Sequence, residues 1–293
     1  MAALVGKLIQ QIKSLLFLIN PLIMVIRTND GINIKKIDFN KNRNNCVVLG
    51  NGPSLNDDIE NIKNHRNETD IICVNAFPLT DHFLYLKPEY LILMDTQWWR
   101  KDANNNALKW RKNLYNMLNS VNWKMQVIVS NNADISFVKS QIDNEYITVD
   151  KTKTVNLYRP LNSNAFKYYD TGYFGPPFTN VLVFAIYNAV MAGYKEIDLY
   201  GADLSYLFLI DVDQKTNKVF IKNEYFYETG ERQLLLEHEG KDARGSTMYE
   251  FIQAQASTYK SHELLYEYAR NKGIQIINRS SYSTIDAYPR SSA

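Results

Sequence analysis

Short apolar runs alternate with longer amphipathic stretches along most of the chain. The runs show little alternation of polar and apolar positions, which is typical of strands whose two faces are both covered. Strands that alternate with helices predict an α/β fold, with one Rossmann-type domain built on a doubly wound, mostly parallel sheet with right-handed crossovers. The predicted strands are residues 46–50, 70–76, 90–95, 124–130, 146–150, 196–201 and 274–278.

Three of the stretches between these runs predict long helices. Residues 97–120 and 246–272 are amphipathic, and Gly273 is placed to end the second of them. Residues 178–192 are almost entirely apolar up to Gly193. A helix of that composition has to be buried against the sheet.

Residues 204–245 break the pattern, because they are aromatic, charged and hairpin-like. They follow a predicted strand and precede the last long helix. In an open α/β sheet, an insertion at the carboxyl end of a strand overhangs the ligand crevice. The segment is therefore interpreted as a lid.

The N-terminal residues 1–34 form a separate predicted unit, ahead of a domain over residues 35–293. Leu4, Leu8 and Ile12 have helical spacing, but the apolar stretches are shorter than the roughly 20 residues that span a bilayer. One interpretation is an amphipathic helix that holds a cytoplasmic protein peripherally on the inner face of the cell membrane. The other is a helix that packs on the domain or on a second copy in a homo-oligomer.

Composition narrows the class of protein. The 293 residues carry 33 basic and 31 acidic side chains, for a net charge of +2, and no basic stripe is present. This balance argues against a nucleic-acid-binding protein. Cys46 and Cys73 both lie in apolar runs, so we expect buried, reduced thiols and a reducing cytoplasmic setting.

The first strand leads directly into the hexapeptide that begins with Gly50-Asn51-Gly52 and ends with Pro53-Ser54-Leu55. Glycines allow a tight turn and a close approach of the backbone to a phosphate, and Ser54 can cap the next helix. The sequence is neither the dinucleotide fingerprint nor a P-loop. It is a moderate signal for a nucleotide or sugar phosphate, and an ordinary strand–helix turn also explains it.

Four segments together resemble the bacterial sialyltransferases of glycosyltransferase family 42, across roughly residues 45–290. Related proteins with a pterin-pyrophosphokinase-like domain share the first of these segments. The resemblance implies a GT-A-like nucleotide domain, a CMP-sugar donor used as substrate, and no cofactor or metal. The segments are Gly50–Leu55, Val74–Phe77, Thr179–Val181 and Ala192–Asp203.

The resemblance implies a set of donor-binding residues at the strand ends and before the apolar helix. Among them, Asp95 stands where the family has an asparagine, and Asn180 stands where it has a serine. The implied set is Gly50, Asn51, Gly52, Ser54, Asn75, Asp95, Thr179, Asn180 and Gly201.

The catalytic residues that the resemblance implies are His238, Tyr206 and Asp203. A neutral imidazole at His238 would take the proton of the acceptor hydroxyl. Tyr206, with Tyr225 or Tyr227, would donate a hydrogen bond to the departing phosphate. The implied reaction is inverting transfer of sialic acid or a related ulosonic acid to a glycan of the lipopolysaccharide, O-antigen or capsule type.

The chain departs from the family at Pro177, where the family has an arginine; Arg159 or Arg244 could replace that charge. A second departure concerns Asp211 and Asp213, which form a DxD sequence. Such a pair chelates Mg²⁺ or Mn²⁺ across a diphosphate in many UDP-sugar transferases. Here it precedes a hairpin-like stretch, so we interpret it as part of a turn.

Two other functions therefore stay open. One is a metal-dependent UDP-sugar transferase built on Asp211 and Asp213. The other is a non-catalytic nucleotide-binding subunit of a glycan assembly. A tail rich in hydroxyl groups, residues 278–283, follows the last strand, and its side chains with Arg279 could reach the phosphate or the acceptor.

Overall fold

The computed structural model describes residues 37–101, 104–157, 162–226, 228–235 and 244–290. The predictions made for residues 1–34, Arg159, Tyr227 and His238 lie outside these ranges.

A seven-stranded sheet forms the centre of the fold, and its strands lie in the order β12-β8-β1-β2-β3-β4-β5. Every neighbouring pair is parallel, which confirms the predicted doubly wound sheet. All seven predicted strands are present, with ends shifted by at most a few residues. They are β1 Asn45–Leu49, β2 Asp70–Val74, β3 Tyr90–Leu93, β4 Met125–Val129, β5 Ile147–Lys151, β8 Glu196–Tyr200 and β12 Gln275–Asn278.

Helices cover both faces of the sheet. The strands are buried on both sides because alternate residues face two separate hydrophobic clusters. One cluster includes α1 Leu55–Asn64, α2 Asp81–Leu86, α3 Asn105–Asn119 and α4 Ile135–Gln141. The other includes α5 Phe166–Tyr169, α6 Val181–Ala192 and α7 Met248–Asn271.

The two long helices on the second face follow the sequence closely. Helix α6 begins after Asn180, whose side chain accepts a hydrogen bond from the Val183 amide, and it ends at Gly193 in the left-handed conformation. Helix α7 begins with a capping box between Thr247 and Glu250. Its 24 residues span about 36 Å, so it is much longer than the strands it covers.

The insertion folds as a small antiparallel sheet of three strands, in the order β11-β10-β9. Its strands are β9 Ile210–Val212, β10 Val219–Tyr225 and β11 Glu228–Leu234. A further pair, β6 Val155–Asn156 and β7 Phe174–Gly175, is parallel and leads toward α6. The hairpin-like character of the insertion is thus present in the structure.

Two sequence predictions need correction in detail. The predicted helix over residues 97–120 is a 3₁₀ turn, Thr96–Trp98, followed by α3, because Trp98 and Trp99 are buried in the core instead of lying along a helix face. The predicted strand over residues 70–76 ends at Val74, because Asn75 turns the chain with a φ of +45°. Cys46 and Cys73 are free and buried, as expected. In the described ranges no helix is long and apolar enough to cross a membrane.

Candidate functional site

The candidate site lies where the strand order reverses, between β1 and β8. The chain after β1 continues into α1 on one face of the sheet, whereas the chain after β8 leads to α7 on the other face. Ligands of open α/β folds bind at such switch points. The two loops that follow the strands are tied together. Gly50 N donates to Tyr200 O at 2.8 Å, and Gly52 N donates to Gly201 O at 2.9 Å.

The glycines of this turn are required for its close packing against the loop after β8. A Cβ on Gly50 would overlap the carbonyl of Gly201, and a Cβ on Gly52 would overlap the carboxylate of Asp203. Gly201 in turn has a φ of +61°. The sequence interpretation attributed the glycines to a phosphate, whereas the structure uses them for the close approach of two loops.

Ser54 and Asp203 form the contact between those loops. The Ser54 hydroxyl donates to Asp203 Oδ1 at 2.5 Å, and its amide donates to Oδ2 at 3.0 Å. Ser54 therefore makes no side-chain cap on α1, which corrects the prediction. Burial raises the pKa of Asp203, while the two hydrogen bonds from Ser54 lower it.

Asn75 and Asp95 form a second pair at the ends of β2 and β3. Asn75 is buried with a φ of +45°, and its Oδ1 accepts from the Met94 amide at 3.2 Å and from the Trp98 indole at 3.3 Å. Its Nδ2 donates to Asp95 Oδ2 at 2.8 Å. Because its amide group is engaged by protein partners, Asn75 holds the carboxylate of Asp95 at the strand end.

Tyr206 lies near both carboxylates. It belongs to a 3₁₀ turn, Ser205–Phe208, that begins after Leu204. Burial, together with the charges of Asp95 and Asp203, raises the pKa of Tyr206 to about 12. The phenol therefore stays protonated at neutral pH. Its hydroxyl makes no hydrogen bond to any residue that the structure describes.

Asn51 also presents an unused polar atom. Its Nδ2 donates to Val74 O at 3.2 Å, which fixes the orientation of the amide. Its Oδ1 is then buried without a hydrogen-bond partner among the described residues. Buried polar atoms without partners are rare, so Asn51 is a candidate contact for a ligand that carries a donor group.

The insertion is anchored on this turn through Phe226. The Phe226 amide donates to Asn51 O at 3.1 Å, and Asn56 Nδ2 donates to Phe226 O at 2.8 Å. The ring lies 5.7 Å from that of Phe77 and 6.2 Å from that of His82. The segment therefore covers the turn after β1 directly, and its motion as a lid stays a prediction.

Thr179 and Asn180 do not join these contacts. The Thr179 hydroxyl pairs with that of Thr258 in α7 at 2.5 Å, and the Asn180 side chain caps α6. Both lie at the N-terminal end of α6, which faces the carboxyl edge of the sheet because α6 precedes a parallel strand. Their hydrogen bonds go to the two long helices instead of the turn after β1.

The DxD pair lies on the insertion, with Asp211 in β9 and Asp213 at the start of the turn that follows the strand. Asp213 Oδ1 accepts from the Lys215 and Thr216 amides at 3.1 and 2.8 Å. Asp211 and Asp213 both face Arg232, at 3.0 and 3.8 Å. The turn interpretation is confirmed by these contacts. Within the described ranges no group of three or more histidine, cysteine or acidic side chains is arranged to hold a metal ion.

Two of the three arginines singled out from the sequence, Arg244 and Arg279, are paired elsewhere. Arg244 contacts Glu250 at 2.5 Å, at the start of α7. Arg279 contacts Asp198 at 2.7 Å and Glu196 at 3.3 Å, so its guanidinium group lies beside β8. The prediction that Arg279 reaches a phosphate or an acceptor is therefore not supported.

Sequence reasoning overlooked how residues 279–290 contribute. The hydroxyl groups of residues 278–283 were predicted to be able to reach a phosphate or an acceptor. In the structure the hydroxyl of Ser283, and that of Thr284 directly after this run, donate to the backbone carbonyls of residues 202–204. The signal in the sequence was the run of hydroxyl residues directly after the last strand. Its partners could be found only once the fold placed that run beside the loop after β8.

The fold defines a class: an α/β protein with a doubly wound parallel sheet whose strand order reverses between β1 and β8. The sequence model of the family described as 6-hydroxymethylpterin diphosphokinase MptE-like matches residues 22–207. That is more than half of the chain, and the chain belongs to this family.

Comparison with known proteins adds a fold relative. The structure is similar to that of the MAf glycosyltransferase from Magnetospirillum magneticum AMB-1, with a TM-score of 0.51 and 15% sequence identity. The similar region covers 92% of this chain and 37% of that one, so this chain spans well under half of the length of the larger protein. The likeness shows a shared fold. No curated protein matches the sequence.

Proposed function

We propose that the protein is a glycosyltransferase that uses a nucleotide-activated sugar. The observation that carries this proposal is the hydroxyl of Tyr206, which has no partner in the described structure and lies near the carboxylates of Asp95 and Asp203. A protonated phenol at a crevice edge can donate a hydrogen bond to the oxygen that gains negative charge when the donor bond breaks.

The neighbouring acceptors support the binding of a nucleoside. Asn51 Oδ1 lacks a donor, and Asp95 is held in place by Asn75. Acidic and amide oxygens at strand ends accept hydrogen bonds from ribose hydroxyls in Rossmann-type folds. The base of a cytidine donor also carries an amino group that can donate.

The donor we propose is CMP-linked, with sialic acid or a related ulosonic acid as the sugar. The motif resemblance to sialyltransferases supports this choice, and a single phosphate does not require a metal clamp. In this proposal the acceptor hydroxyl attacks the anomeric carbon, His238 takes its proton, and CMP departs with the electron pair of the broken bond. Tyr206 stabilises the departing phosphate.

We propose a membrane-bound glycan or glycolipid as the acceptor. The support is the amphipathic pattern of residues 1–34 and the resemblance to transferases of surface glycans. A vesicle flotation assay on the full chain and on a chain that lacks residues 1–30 tests the membrane contact. Both chains staying at the bottom of the gradient would contradict it.

Nucleotide release from a panel of CMP- and UDP-sugars, with and without EDTA, tests the donor. We expect CMP to be released from one donor with EDTA present. Release of UDP only when metal is added would instead favour the transferase built on Asp211 and Asp213. Nucleotide binding without any turnover would favour the non-catalytic subunit.

The family match favours a second candidate, transfer of a diphosphate to a hydroxymethylpterin. A diphosphokinase moves a diphosphoryl group from ATP to a hydroxyl group and releases AMP. The matched residues include both loops at the switch point. The same panel extended with ATP, Mg²⁺ and 6-hydroxymethylpterin distinguishes the candidates, because AMP would form only in the presence of the pterin.

A further inference from the structure

We infer that Thr284 is a positioning residue, which holds the turn that carries Asp203 and Tyr206 in its working conformation. The kinetic test of this inference rests on the proposed function, because it needs donor turnover. A second test, of the structure of the turn, needs no substrate. Thr284 lies beyond residues 22–207, which match the family, so the family description does not include this part of the site.

The turn needs external support because of its backbone conformation. Leu204 has a φ of +49° and a ψ of +40°, in the left-handed region that a branched side chain rarely occupies. This conformation redirects the chain between Asp203, which accepts hydrogen bonds from Ser54, and the 3₁₀ turn that carries Tyr206. Such residues persist only where their surroundings over-determine them.

Thr284 supplies that support with both its backbone and its side chain. Its amide donates to Asp203 O at 2.9 Å. Its hydroxyl lies 3.1 Å from the same carbonyl and 2.8 Å from Leu204 O, and the single proton is shared between them. Because that proton is used, the contact with the Tyr259 hydroxyl at 2.7 Å is donated by Tyr259 of α7.

The neighbours of Thr284 hold the adjoining residue in the same way. The Ser283 hydroxyl donates to Ala202 O at 2.6 Å, and the Ala202 amide donates to the Ser280 hydroxyl at 3.0 Å. On the side of β1, the Ser281 hydroxyl donates to Ser54 O at 3.3 Å, and the Ser281 amide donates to Asp58 Oδ2 of α1 at 3.0 Å. Residues 279–290, the C-terminal clamp, therefore bond to both loops that form the switch point.

The clamp is itself fixed to the core. The Asn278 amide donates to Pro289 O at 2.9 Å, and Tyr288 is buried against His262 of α7 at 2.9 Å. An exposed turn without a role would make its hydrogen bonds to water or within itself. Here the side-chain donors of Ser283 and Thr284 reach the backbone on either side of Asp203.

Thr284→Val tests the inference, because valine keeps the shape and removes the hydroxyl. With the donor identified by nucleotide release, we expect kcat to fall about tenfold, while KM for the donor changes by less than about twofold. Thr284→Ser keeps the hydroxyl and should restore kcat. Thr171→Val is the matched control, since the Thr171 hydroxyl donates to Tyr168 O at 2.6 Å, outside the crevice loops.

Hydrogen exchange of the peptide over residues 201–209 gives the second readout. We expect exchange there to be at least about fivefold faster in Thr284→Val than in the wild type, with the strands of the sheet unchanged. Tyr259→Phe, which leaves Thr284 in place, should give a smaller increase and covers the case in which the valine variant does not fold. Unchanged exchange and unchanged kcat in Thr284→Val would overturn the inference.

The two readouts separate the two proposals. If the wild-type protein releases no nucleotide from any donor, the proposed function fails and exchange alone still tests the role of Thr284. If donor turnover is present and Thr284→Val behaves like Thr171→Val in both measurements, the proposed function stands and the positioning role is wrong.

Discussion

The charged groups at the amino ends of the strands are fully engaged, whereas polar groups at the carboxyl ends are left without partners. At the amino end, Asp70 accepts from the Asn42 and Arg43 amides, from the Arg43 guanidinium group and from the Tyr194 hydroxyl, at 2.9 to 3.2 Å. Glu89 accepts from Arg66 and from a strand amide, both at 2.8 Å.

The carboxyl end presents Asn51 Oδ1 and the Tyr206 hydroxyl without partners among the described residues. It also holds Asn75 and Leu204 in the left-handed conformation. The buried Tyr90 hydroxyl at the amino end lacks a partner as well, so the contrast concerns the charged groups most clearly. A buried acceptor without a partner, such as Asn51 Oδ1, costs stability, and such a cost is retained where a ligand makes use of it. The left-handed conformation does not separate the two ends, because Lys87, just before β3 at the amino end, has a φ of +47°.

The largest effect on stability is expected from a substitution at the amino ends of the strands. Asp70→Asn would place amide hydrogens against several of the four donors that now face a fully buried carboxylate. Breaking a buried ion pair from one side costs about 3 kcal/mol or more in the free energy of unfolding. Urea unfolding followed by circular dichroism measures it.

The matched control is Asp134→Asn. Asp134 also accepts a backbone hydrogen bond, at 3.0 Å from Phe137, but it lies on the surface at the start of α4. If Asp70→Asn lowered the free energy of unfolding no more than this control, the contrast between the two ends of the strands would be wrong. Donor turnover of the folded Asp70→Asn protein should stay close to that of the wild type.

Most of the sheet could be predicted from the sequence, because its physical cause is local. In β2 every residue is buried, and all are apolar except Asp70 at its start, while α6 has to be apolar around most of its circumference. The strand order was not predicted, because it depends on pairing between distant segments. Only the structure places β8 beside β1 and so locates the switch point.

The site was less predictable, because its contacts join distant parts of the chain. Serine is a residue type that often caps helices, yet the Ser54 hydroxyl donates to Asp203, 149 residues further along the chain. Thr284 reads as part of a surface tail until β12 places it beside Leu204. Local rules describe what a side chain can bond, and only the fold decides which partner it meets.

The second prediction concerns the carboxyl end directly. Tyr206→Phe removes a hydroxyl that makes no hydrogen bond to the described protein, so we expect little change in stability. Donor turnover should fall about 100-fold, equivalent to about 2.7 kcal/mol of transition-state stabilisation. Nucleotide release with saturating donor measures it, and thermal unfolding checks the fold.

The control for this substitution is Tyr187→Phe. The Tyr187 hydroxyl donates to Phe174 O at 2.9 Å inside the core, so its loss should reduce stability and leave turnover nearly intact. The opposite pattern, a destabilised but active Tyr206→Phe protein, would show that the phenol has a packing role and would remove the main support of the proposed function.

The third prediction uses the pH dependence of the C-terminal clamp. His262 is fully buried, its Nδ1 faces Tyr288, and burial lowers its pKa to about 3. Its unfolded pKa is about 6.5, so the unfolded chain binds more protons between these values and stability falls as the pH drops below about 6.5. At pH 5 the loss amounts to about 2 kcal/mol.

His262→Gln keeps a hydrogen-bonding partner for Tyr288 and does not titrate. We expect its free energy of unfolding to fall less than that of the wild type between pH 7.5 and 5, by about 2 kcal/mol. Parallel slopes for the wild type and His262→Gln would mean that His262 is not neutral in the folded protein.

The smallest effect is expected on the insertion, where the hydrogen bonds of Asp211 and Arg232 are made at the surface. Their contact is 3.0 Å long, but about half of each side chain is exposed, and exposed ion pairs add little to stability. Asp211→Asn should therefore leave both the melting temperature and donor turnover close to the wild type, with and without EDTA. If turnover fell in this variant and recovered with excess Mn²⁺, the catalytic site would be the DxD pair and not the carboxyl edge of the sheet. The unpaired groups of Asn51 and Tyr206 would then need another explanation.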